Sequence, residues 1–80
     1  MKINVLAFGI AREIVGAGSI EAIVEDQATV GELKAELERQ YPRLTKLASY
    51  FVAVNNEYAD ASSKLQEHDE IAIIPPVSGG

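Results

Sequence analysis

The stretch ATVGELKAELERQYP, residues 28–42, is the clearest helix in the chain and sets what the rest must do. Thr29 is a good N-cap, and Glu32 three residues later completes a capping box, each side chain serving the other's backbone N–H. Val30, Leu33, Leu37 and Tyr41 fall on one helical face, while Glu32, Lys34, Glu36, Glu38 and Arg39 tend to the other. Pro42 stops the helix, because the residue before a proline is pushed out of the α region. One amphipathic helix of this length can cover one face of a small sheet.

The flanking segments supply that sheet. Residues 2–8, KINVLAF, are rich in β-formers and read as a first strand. Ile3, Val5 and Ala7 lie on one face and Asn4, Leu6 and Phe8 on the other, so both faces are largely apolar and the strand is expected to be central. Residues 11–15 allow about one helical turn, with Gly16 as its C-cap. Residues 19–24 alternate and read as a second strand. After the helix, Leu44 and Leu47 suggest a short packed turn, and YFVAVN is a further strand. Asn55-Asn56 is a tight-turn pair leading into EYA. DASSKLQEHD is a polar connection anchored by Leu65, and EIAII is the last strand, ended by Pro75. The order β-β-α-β-β-β is expected to give an α+β chain of the β-grasp (ubiquitin-like) type, a mixed four- to five-stranded sheet covered by one main helix, and is also compatible with other small α+β folds. The domain is expected to span residues 1–74, with residues 75–80 as an extended tail.

Eighty residues without a cysteine must hold together by packing alone. The same absence excludes a disulfide framework, a thiolate metal site and a cysteine nucleophile. A net charge of −5, with only seven scattered basic residues, argues against nucleic-acid or anionic-membrane partners and suits a basic protein partner. No apolar run approaches the ~20 residues of a membrane span, and the first residues lack the h-region of a signal peptide, so a cytoplasmic location is expected.

The tail carries the functional signal. IIPPVSGG runs from an apolar strand through two prolines to two glycines. Average glycine usage of about 7% gives a chance Gly-Gly pair at a given place odds of roughly one in two hundred. Pro75 and Pro76 cannot donate to a ladder and favour polyproline II, which launches Val77, Ser78, Gly79 and Gly80 away from the fold. Six residues reach at most ~20 Å, enough to thread another protein's pocket. Gly79 and Gly80 have no Cβ and fit a narrow channel. The α-carboxyl is a carboxylate at neutral pH and a poor electrophile, so it must be activated, for instance as an acyl-adenylate, before a nucleophile attacks. A sulfur nucleophile would leave a thiocarboxylate; a partner's cysteine and then a lysine would make the chain a protein modifier.

INVLAFGIAREIVG, TVGELKAEL, VAVNNEYA and DEIAIIPPVSGG together resemble the small, sulfur-carrier subunits of molybdopterin synthase over the whole chain. The resemblance implies that Gly80 is adenylated by an ATP-using activating enzyme, converted to a thiocarboxylate with the help of a sulfur donor protein, and inserted into the active site of a larger subunit. There it gives sulfur to a pyranopterin precursor of molybdopterin, in a heterotetramer with a small subunit at each end. It implies a chain with no catalytic groups, metal or bound cofactor of its own. It also implies an apolar docking patch at Phe8, Tyr58 and Ile74, with Arg12 beside it. Taken singly, Phe8 reads more readily as core, and Arg12 as an ordinary surface residue. Where the family commonly has a DGDE turn, this chain has Glu67-His68-Asp69-Glu70, which puts the φ of that turn in question. His68 itself reads as a solvated loop residue, and the paired acids as solvated faces. A ubiquitin-like modifier joined through Gly80, a thiamin-pathway sulfur carrier, and an interaction module with an inert tail are the other readings.

Overall fold

In the computed structural model, which describes residues 1–47 and 50–75, the expected helix forms over Val30–Gln40 and packs on one sheet. The elements are β1 (Lys2–Ala7), α1 (Gly9–Val15), β2 (Ser19–Ile23), α2 (Val30–Gln40), a 3-10 turn (Pro42–Lys46), β3 (Phe51–Val54), β4 (Glu57–Tyr58) and β5 (Ile71–Ile74). The sheet order is β2-β1-β5-β3-β4. β1 is antiparallel to β2 and parallel to β5, and β3 is antiparallel to both β5 and β4. Antiparallel neighbours need only short turns, whereas the parallel β1/β5 pair needs a long crossover, and α2 lies within it. This is the β-grasp arrangement expected from the element order.

The capping box of α2 forms as its sequence dictates. The Glu32 N–H donates to Thr29 Oγ1 at 3.2 Å, and the Thr29 N–H donates to Glu32 Oε1 at 3.1 Å. Val30, Leu33 and Leu37 are buried from this helix, and they meet Ile3, Val5, Ala22, Val52, Ile71 and Ile73 from the sheet. Leu44 from the 3-10 turn and Leu65 from the polar connection close the two ends of the core. Each large aliphatic side chain buried here contributes roughly 1.5–3 kcal/mol. At the C-terminal half of α2 the Tyr50 hydroxyl donates to the Glu38 carboxylate, and the Lys34 ammonium sits 4.5 Å from the Tyr50 ring centroid.

Four local outcomes refine the sequence reading. Residues 9–15 form a full helix, not one turn, closed by Gly16 at φ 81° as expected. β1 ends at Ala7, and Phe8 becomes the extended N-cap of α1. β1 is central because strands flank it on both sides, but only Ile3, Val5 and Ala7 are covered; Asn4 is exposed and Leu6 half-buried. Two apolar faces therefore did not mean two buried faces. The Gln66–Asp69 turn, closed by a 3.0 Å bond from the Asp69 N–H to the Gln66 carbonyl, needs no left-handed residue at His68. Positive φ outside glycine is confined, among the described residues, to Gln27, Asn55 and Asn56. Asn55 and Asn56, at 53° and 69°, make the β3–β4 hairpin turn with the twist that adjacent strands prefer.

Candidate functional site: the open sheet face at the root of the tail

Both helices' buried residues belong to the covered side of the sheet, and the other side faces solvent. Register determines which residues share that open face. Leu6 pairs with Ala72, Ala72 with Ala53, and Ala53 with Tyr58, giving one row across four strands. Ile74 pairs with Phe51 in the next row. The β1/β5 register carried one residue further sets Phe8 level with Ile74. Phe8 is 51% exposed, Phe51 50% and Tyr58 69%, while Ile74 is half-buried. The Phe51 and Tyr58 rings are tilted against each other with centroids 5.1 Å apart. Aromatic side chains left this exposed on contiguous strands are unlike scattered single apolar residues, and such patches mark interaction sites.

The tail begins at the end of this row. Pro75 follows β5 directly, and its ring packs over Gly9: a Cβ built at Gly9 would lie 3.0 Å from Pro75 Cγ. Gly9 also has φ 56°, a conformation that a side chain resists. The exit of the chain from β5 is thus held between the start of α1 and the row Phe8, Ile74, Phe51. Pro76, Val77, Ser78, Gly79 and Gly80 lie outside the described residues.

Of the residues expected at a docking patch, Phe8 is set level with Ile74 by the β1/β5 register carried one residue on, Ile74 pairs with Phe51, and the Tyr58 ring lies against that of Phe51. Phe8 is not core. Arg12, exposed in the last turn of α1, lies along Gly18 and makes no ion pair among the described residues. Phe51 was missed by the sequence reading. YFVAVN alternates apolar residues on both faces, so only the pairing of Phe51 with Ile74 reveals that it points to the open side. Asn55 stiffens the entry to β5: its side-chain amide donates to Asp69 Oδ1 at 3.0 Å, and its carbonyl accepts from the Glu70 N–H at 2.9 Å. Among the described residues no group of three His, Cys, Asp or Glu side chains is placed to hold a metal ion. No described helix is long and apolar enough to cross a membrane. What the described residues offer is an apolar surface and the root of the tail.

Comparison with known proteins is consistent with this geometry. Residues 5–80 match the ThiS family. The chain is 38% identical to the molybdopterin synthase sulfur carrier subunit of Arabidopsis thaliana, over all of this chain and 84% of that protein. Among solved structures, the small archaeal modifier protein SAMP1 of Haloferax volcanii superposes with a TM-score of 0.87 at 27% identity, covering the whole of both chains. The complex of subunits 1 and 2 of the molybdopterin-converting factor of Helicobacter pylori contains a chain matching with a TM-score of 0.70 at 25% identity, again over the whole of both. The full-length match, the five-stranded mixed sheet and the strand that leads into Pro-Pro agree, and the chain belongs to the ThiS family, alongside the molybdopterin synthase sulfur carrier subunits that it resembles from end to end.

Proposed function

We propose that this chain is a sulfur carrier for molybdopterin synthesis, acting as a substrate-like subunit and not as a catalyst. The observation that carries the reading is the position of Pro75 at the rim of an exposed apolar sheet face, in a chain whose relatives are sulfur carrier subunits. In this reading the large catalytic subunit covers Phe8, Phe51, Tyr58 and Ile74, and the segment from Pro75 to Gly80 enters its active site. The known complex of subunit 1 with subunit 2 in Helicobacter pylori supports a partner of that kind.

The chemistry then belongs to Gly80. A separate activating enzyme uses ATP: the Gly80 carboxylate attacks the α-phosphorus, and pyrophosphate leaves. Hydrosulfide released by a donor protein attacks the acyl carbon of the resulting adenylate and gives up its proton to solvent, and AMP leaves with the bonding electron pair, so the terminus becomes a thiocarboxylate. In the large subunit the thiocarboxylate sulfur attacks a carbon of the pyranopterin precursor, and the oxygen substituent on that carbon leaves with the bonding electron pair. Water then cleaves the acyl–sulfur bond and returns the carboxylate. The chain itself needs no cofactor for any of these steps. The two glycines keep the acyl carbon approachable from both sides.

Deleting Gly80, or adding one residue after it, is expected to abolish molybdopterin formation in a reconstituted synthase while leaving the urea unfolding midpoint unchanged. Product formation by either variant at the parent rate would refute the reading. A protein-modifier role is the second reading, favoured by the fit to the archaeal small modifier protein. It requires Gly80 in isopeptide linkage to lysines of other proteins, with no thiocarboxylate form.

A further inference from the structure

The opposite margin of the sheet carries a second surface. β2 is an edge strand. At one end Met1 and Val24 exchange hydrogen bonds in both directions, and at the other the Ala7 N–H donates to the Gly18 carbonyl at 2.9 Å. With Ile3 opposite Ala22 and Val5 opposite Ile20, the antiparallel alternation turns the backbone groups of Ile20, Ala22 and Val24 toward β1. The N–H and C=O groups of Ser19, Glu21 and Ile23 therefore point outward, and no described backbone or side-chain group pairs with them. The other margin is closed off by brevity, since β4 has only two residues.

Beside the outward groups runs an open groove of about 490 Å3 lined by Ile23, Val24, Glu25, Ala28, Glu32 and Glu36. Ile23 is 72% exposed. Proteins usually blunt such an edge with a proline, a bulge or a covering loop. Among the described residues only the charge of Glu21 does so here, and Lys2 answers it from β1 at 4.0 Å. A second copy of this chain is a poor occupant. Antiparallel pairing of two β2 strands about their centre sets Glu21 against Glu21, and like charges directly opposite each other destabilise a ladder. The net charge of −5 on each chain adds to that repulsion and also turns away anionic lipid and nucleic acid.

We infer that the β2 edge accepts an extended, basic segment of a partner protein as a sixth strand. Its outward main-chain groups pair with Ser19, Glu21 and Ile23, a lysine or arginine lies against Glu21, and basic side chains along the groove meet Glu25 and Glu32. Main-chain bonds supply affinity in strand addition, and the alternate side chains supply selectivity. β1 separates this edge from β5, so the segment leaves the apolar face at Pro75 open. The inference does not depend on what Gly80 carries.

The test uses the full chain labelled with 15N and two capped heptapeptides, one alternating lysine with valine and one alternating glutamate with valine. The lysine peptide is expected to shift the amides of Ser19, Glu21 and Ile23 saturably and to slow their hydrogen exchange, and the glutamate peptide to do neither. Glu21→Lys is expected to weaken the lysine peptide about five- to tenfold. Ile23→Pro removes an outward N–H without taking a bond from β1 and is expected to abolish binding; should it unfold the chain, Glu21→Lys decides. Equal shifts with both peptides, shifts centred on Phe51 and Tyr58, no shift at β2, or undiminished binding to Glu21→Lys would overturn the inference.

Discussion

Tyr50 shows how one side chain links helix, sheet and charge. Its ring is buried under Lys34, and burial, followed by the hydrogen bond to the Glu38 carboxylate, pushes the phenol above the ordinary tyrosine range. A pKa raised on folding stabilises the folded state below the unfolded value, near about 10, and that contribution is lost as pH rises through the folded one. Stability is therefore expected to fall above about pH 10 more steeply in the parent than in Tyr50→Phe, measured by urea unfolding across the alkaline range. Parallel curves would contradict the assignment. Gly9 works at the same scale. Its φ of 56° and the Pro75 ring 3.0 Å from an added Cβ both oppose a side chain. Gly9→Val is expected to cost about 1–2 kcal/mol in urea unfolding and to move the Ile74 amide resonance. An unchanged Ile74 resonance would show that Gly9 does not hold the tail root. Neither role was legible in the sequence, because both depend on a neighbour far along the chain.

Elements divide into those written locally and those decided by pairing. The box of Thr29 and Glu32, the stripe Val30, Leu33, Leu37 and the stop at Pro42 set α2 from within a few residues, and that helix forms where its sequence puts it. Thr29→Ala is expected to lower stability by about 1 kcal/mol, with Glu32 still in place. Gly16 and the Asn55-Asn56 pair were likewise readable, because left-handed backbone selects few residue types. The exposure of Phe8 and the place of Phe51 were not. Alternation says that residues lie on opposite faces; it does not say which face a helix will cover. The site emerges only when β5 enters between β1 and β3 and aligns Phe8, Ile74 and Phe51. Phe51→Ala and Tyr58→Ala are each expected to weaken binding to the large subunit by about 2 kcal/mol, roughly thirtyfold, as for aromatic anchors at an interface centre. Calorimetric titration would measure this, and unfolding midpoints should move little, since both rings are half or more exposed. Unchanged affinity in both variants would remove these rings from the interface.

At the scale of the molecule, a small core supports two surfaces and a tail. A domain of this size has a stability of only a few kcal/mol to lose, and emptying the centre of the core is expected to be severe: Leu33→Ala should cost about 2–5 kcal/mol. In the proposed reading, function rests on presenting Gly80 to other proteins. The tail was readable from its residue types alone, whereas the exposed row beside it needed the fold. The measurement that bears most directly on this account is the intact mass of the chain after incubation with an activating enzyme, ATP and a sulfur donor. The account predicts a gain equal to the exchange of one oxygen for sulfur, localised by fragmentation to Gly80 and absent without ATP. An unchanged mass under conditions that charge an established sulfur carrier, or sulfur located anywhere other than Gly80, would contradict it.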